Sequence, residues 1–127
     1  MPQAWLDLAN DARKAAASLV QAERHRSAVA RAYYAAYSKV THELVNTGLT
    51  MPKDREGPNH TGGRGAIRPM VETSMPGMSP AKRVKLSELI GRLYTLRVDA
   101  DYKPSTVVEA REAREAVSMM NTVFDSF

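Results

Sequence analysis

The chain has no cysteine, so it can build no disulfide, no thiolate nucleophile and no Cys-based zinc site. That absence suits a reducing compartment. Its three histidines stand apart at His25, His42 and His60, and no H-E-x-x-H or paired Glu-x-x-His spacing occurs, so neither a metal nor any other cofactor is expected. No apolar run approaches the ~20 residues of a membrane span. The opening residues Met-Pro-Gln-Ala-Trp-Leu-Asp lack the basic and apolar regions of a signal peptide, and a cytoplasmic location with no membrane contact is expected. The glycines around 62 to 65 have no preceding strand and no following Lys-Ser/Thr, which excludes a Walker or Rossmann phosphate loop. No arrangement for a serine nucleophile is apparent either. Aromatic residues are scarce at 6%, with one tryptophan, but three of the five tyrosines lie together at Tyr33, Tyr34 and Tyr37.

What is present describes one globular domain spanning residues 1 to 127. Hydrophobic residues at 43% and charged residues at 25% are ordinary for a folded domain and too apolar for a disordered one. The net charge of +4 is uneven. Residues 1 to 103 hold sixteen Lys/Arg against ten Asp/Glu, whereas residues 104 to 127 hold two against four. The larger part suits a phosphate-bearing partner, and a solvated surface accounts for the same numbers.

The apolar spacing is helical nearly throughout. A first helix is expected over residues 2 to 22, with small residues at Ala12, Ala15 and Ala16 for close packing and Trp5 as a core anchor. A second is expected over 25 to 47, because Val29, Tyr33, Ala36, Val40 and Leu44 recur every three or four residues and Gly48 offers a stop. Arg24, Arg26 and Arg31 gather charge in its first half, beside the tyrosines. That mix can hold a phosphate and stack a base, or it can be aromatic core with a basic edge. Residues 48 to 65 hold five of the seven glycines and read as a long loop, and a loop of this length in a compact domain is more often functional than idle. The loop carries Asn59-His60 and, shortly after, Arg64. A short helix over 65 to 74 follows.

The stretch from Ser79 to Pro104 poses the main question. Ser79 reads as an N-cap and Pro80 as the first helical residue. Leu86, Leu89, Ile90, Leu93 and Ala100 then form one stripe, and Arg97 falls in its middle. An unpaired guanidinium there would be costly, so Arg97 either pairs with Asp101 one turn on, faces a groove or interface, or snorkels out along its stem. A final helix is expected to open on Thr106-Val-Val-Glu109 as a capping box, with Ala113, Val117, Met120, Phe124 and Phe127 as its apolar stripe. The expected fold is all-α, an up-and-down bundle of four long helices plus one short helix. Arginine, tyrosine and one loop histidine suit phosphodiester contact and metal-free RNA cleavage, in which the 2′-hydroxyl attacks and the protein supplies proton transfer and charge stabilisation.

Three runs in this order, Ser27-Ala-Val-Ala-Arg31-Ala-Tyr33-Tyr34-Ala-Ala-Tyr37, Asn59-His60, and Leu96-Arg97-Val-Asp-Ala-Asp101-Tyr102, resemble HEPN domains. The likeness is to the small bacterial ones related to toxins paired with nucleotidyltransferase-type antitoxins. It implies a helical bundle that dimerises so that motif residues of two subunits line a cleft, with RNA as substrate and a toxin-antitoxin or antiphage setting. It also implies a metal-independent endoribonuclease, or a degenerate relative of one. The ribonuclease members carry Arg and then His after four to six residues, whereas Tyr102 stands at that place after Arg97. The only literal spacing of that kind runs from Arg55 to His60 in the loop. Arg97, Tyr102 and His60 are therefore the catalytic candidates, with His60 expected to approach Arg97 across a dimer cleft. Arg31, Tyr34, Asp101 and Arg64 are the RNA-binding candidates. The alternative is a non-catalytic HEPN-like module that binds RNA, a nucleotide or a partner protein, with Arg97 and Asp101 as a structural ion pair at an interface.

Overall fold

A computed structural model describes residues 4–52, 56–62 and 65–127. Arg55 and Arg64, two of the loop positions singled out above, lie outside the described residues. The described chain folds into α1 (Trp5–Gln21), α2 (His25–Asn46), α3 (Ile67–Thr73), α4 (Pro80–Tyr102) and α5 (Ala110–Asp125). Four are long and α3 is short, as expected. Among the described residues there is no strand, only an isolated parallel bridge between Asn59 and Ala66.

Helix α2 is the hub, since it packs on all four of the others. Its buried face explains how. Ala28, Ala32, Ala35 and Ala36 are fully enclosed beside Val29, Tyr33, Val40 and Leu44. Alanines 9, 12 and 16 are the buried positions of α1, so small side chains on both helices let the backbones approach closely. From α4 come Leu86, Ile90, Leu93 and Ala100, and from α5 come Ala113, Ala116, Met119, Met120, Val123 and Phe124. Each large apolar side chain so enclosed contributes about 1.5–3 kcal/mol. Arg13 fastens α1 to α5: its Nε and Nη2 donate to Asn121 Oδ1 at 3.2 and 3.0 Å, and its guanidinium lies 4.4 Å from the Phe124 ring centroid.

Helix boundaries follow local chemistry. Ser79 caps α4, its Oγ accepting from the Lys82 amide at 3.2 Å, with Pro80 as first residue. Gly48, at φ 83°, follows the end of α2 in the left-handed region that glycine adopts without strain. The opening of α5 differs from expectation. Its capping box is formed by Glu109 and Glu112, with the Glu109 amide donating to Glu112 Oε1 at 2.9 Å, rather than by Thr106 and Glu109. Arg26 supplies the reason. Its Nη2 donates to Thr106 O at 2.6 Å and to Pro104 O at 3.2 Å, holding a turn at residues 103–106, in which the Thr106 amide donates to Lys103 O at 3.0 Å, so that Thr106 stands in the connection before the helix. Nη1 of the same arginine reaches Asp99 O, Ala100 O and Lys103 O at 3.1, 2.9 and 3.3 Å. Arg26 is thus committed to the carbonyls at the end of α4, a neutralising partner for that helix terminus, and is removed from the set of phosphate-facing arginines.

Candidate functional site

The site forms where α2 and α4 cross and the loop between α2 and α3 folds back over them. Arg97 sits within the α4 stripe, its side chain only 14% exposed. Nε donates to Asp101 Oδ2 at 3.0 Å and Nη2 to Tyr34 Oη at 3.3 Å. The guanidinium also lies 5.5 Å from the Tyr34 ring centroid and 5.4 Å from that of Tyr102, both within cation–π range. Burial alone would lower the Arg97 pKa, but Tyr34, Tyr102 and Asp101 more than offset it, so the group stands above its ordinary value and stays charged. Nη1 has no partner among the described residues.

His60 reaches this region from the loop. The Tyr37 hydroxyl donates to Pro58 O at 2.5 Å, and Tyr33 Oη and His60 Nδ1 are 2.5 Å apart. The Asn59 amide donates to Gly65 O at 2.7 Å and the Ile67 amide to Asn59 O at 2.8 Å, which pinches the loop at the residue before His60. Gly57 is required for this approach, because a Cβ there would stand 2.7 Å from Tyr37 Oη and 3.0 Å from the Trp5 ring. The imidazole then stacks on Tyr37 at 4.5 Å, with Tyr34 edge-on at 6.0 Å and Tyr94 at 6.3 Å. Tyr33, fully enclosed, has its pKa pushed far up, by burial first and by the neighbouring phenols after it, with Arg97 pulling the other way. Its proton therefore stays on oxygen across the physiological range.

Two hollows lie side by side here. One, of about 470 Å³, is lined by Ser27, Ala30, Arg31, Tyr34, Arg97 and Asp101. The other, of about 350 Å³, runs from Trp5 to His60 and shares Arg31 and Tyr34 with the first. Five of the expected site residues, Arg31, Tyr34, His60, Arg97 and Asp101, thus line these two neighbouring hollows. Within one chain Tyr34 touches both His60 and Arg97. Tyr102, 66% exposed, lies over Arg97 as an aromatic lid at the rim. Tyr94 and Asp11 were not among the expected site residues, and Trp5 was expected as a core anchor. Trp5 does pack edge-on against Tyr37 at 5.9 Å, yet it also lines the second hollow. Tyr94 had a signal, since it precedes Arg97 by three residues and so shares its helical face.

Among the described residues no three His, Cys, Asp or Glu side chains gather as a metal site, and no helix is long and apolar enough to cross a membrane. Compared with family models, curated proteins and solved structures, the chain matches none of them.

Proposed function

We propose that this protein is an RNA-directed bundle of the HEPN type, a cytoplasmic metal-independent endoribonuclease of a toxin-antitoxin or antiphage system. The observation that carries the reading is Arg97: a guanidinium in a hollow, fixed through Nε and Nη2, with Nη1 unpartnered beside open space. A planar, pre-oriented donor of that kind suits a phosphate oxygen and costs little reorganisation when charge develops on it. His60 stands one ring away, across Tyr34. In the proposed reaction the 2′-oxygen attacks phosphorus as the bond to the 5′-oxygen breaks, giving a cyclic phosphate. His60 takes the 2′-hydroxyl proton, and the departing 5′-oxygen gains one from solvent. In the tautomer whose Nδ1–H donates to Tyr33 Oη, Nε2 carries the lone pair that takes the proton. Tyr102, whose ordinary phenol pKa of ~10 makes it a poor base near neutrality, serves to hold Arg97.

Labelled RNA incubated in chelator with wild type, Arg97→Ala and His60→Ala tests this. Wild type is expected to cut, Arg97→Ala to be inactive while folded, and His60→Ala to fall by roughly 10²–10⁴. An inactive wild type, or cleavage indifferent to both changes, overturns the nuclease assignment. A second reading is favoured by how well Arg97 is satisfied at Asp101, Tyr34 and Tyr102. It makes the cluster a structural contact for a second copy or for a nucleotidyltransferase-type antitoxin, and Arg97→Ala would then lower the mass measured in solution rather than cleavage.

A further inference from the structure

The hollow between Trp5 and His60 has a composition that phosphate contact does not account for. Its walls are aromatic: Trp5 edge-on to Tyr37, Tyr37 stacked on His60, and Tyr34 edge-on to His60. Asp11 lies on the same lining, opposite in charge to the Arg31 that borders it. Among the described residues neither Asp11 nor Arg31 enters an ion pair. A carboxylate beside a phosphate track is unfavourable by Coulomb repulsion, so Asp11 marks a place where a base edge rather than backbone belongs.

We propose that this hollow is a nucleobase subsite selective for guanine, adjoining the phosphate position at Arg97. The inference rests on the reading of the two hollows as an RNA site. Unpaired bases are recognised by stacking on aromatic side chains and by hydrogen bonds to their Watson–Crick edges. Its volume of about 350 Å³ is at the small end of ligand pockets, suited to one base or nucleoside. Guanine presents two adjacent donors, N1–H and the N2 amino group, which match the two oxygens of a carboxylate. Adenine and cytosine place a ring-nitrogen acceptor beside their single amino group, and uracil flanks its one N–H with two carbonyls, so each sets an acceptor against Asp11. Arg31 borders both hollows and is placed to bridge the base to the backbone phosphate at Arg97.

The test compares a labelled twelve-uridine oligomer with the same oligomer carrying one central guanine, in binding titrations under chelator. Trp5, the sole tryptophan, reports occupancy by quenching. The guanine is expected to tighten wild-type binding by roughly tenfold and to deepen the Trp5 quench. Asp11→Asn, an exposed change, is expected to erase that preference, with binding of the all-uridine oligomer no weaker than in wild type because a repulsive carboxylate is gone. Arg97→Ala is expected to weaken both oligomers equally. Equal binding of the two by wild type, or a guanine preference that survives in Asp11→Asn, overturns the subsite while leaving the RNA reading intact. If neither oligomer binds wild type, the RNA reading fails and the subsite with it.

Discussion

An arginine at an apolar helix position needs compensation from its surroundings, and Arg97 draws it from one carboxylate, one hydroxyl and two aromatic faces. Asp101 was legible as a partner because i and i+4 share a helix face. Tyr34 was legible as a neighbour in kind but not as a contact, since it lies 63 residues away and no local pattern encodes that distance. The same holds for His60 and Tyr33, joined across 27 residues through a loop. Tyr33 gives a prediction with a definite sign. Burial raises its folded-state pKa above the phenol value of ~10. The stability it contributes is therefore complete below pH ~10 and is lost as pH rises past that point, by up to ~1.4 kcal/mol per pH unit. Urea unfolding between pH 8 and about 12 should show this alkaline decline, and Tyr33→Phe should flatten it. An equally steep decline in the variant would mean that Tyr33 titrates freely.

The helices were largely readable from their apolar period, and the start of α4 from Ser79 and Pro80, because caps and first-turn prolines act locally. The start of α5 was not. Thr106-x-x-Glu109 has the capping-box pattern and Glu109-x-x-Glu112 does not, yet the second forms, while Arg26, eighty residues from Thr106, holds the Thr106 carbonyl in the preceding turn. An arginine near a helix start gives no sign in sequence that it will gather five carbonyl oxygens. Removing it as Arg26→Ala should cost about 2–3 kcal/mol, as hydrogen bonds to a charged group are lost. Hydrogen-exchange protection should drop mainly over residues 99–109, with α1 little changed. Protection lost evenly over the whole bundle would show that Arg26 supports the fold at large rather than the end of α4. Because Asp101 and Tyr102 lie in that terminal turn, the same variant should also loosen the setting of Arg97.

For the molecule as a whole, the bundle brings α1, α2, α4 and one pinched loop to two neighbouring hollows whose linings mix arginine, tyrosine, histidine and one unpaired carboxylate. The excess of positive charge in residues 1 to 103 was visible beforehand. Its division of labour was not, for Arg13 and Arg26 serve packing and connection while Arg31 and Arg97 border the hollows. The loop could be recognised by its glycines and prolines, but its path depends on Tyr33 and Tyr37 holding it to α2. If RNA binds at these hollows, amide chemical shifts recorded while unpaired RNA is added should move over residues 5–12, 27–38, 57–62 and 94–102. The outer face of α5, at Arg111, Arg114 and Ser118, should stay still. Shifts confined to that face, or none anywhere under saturating RNA, would contradict the assignment of the hollows.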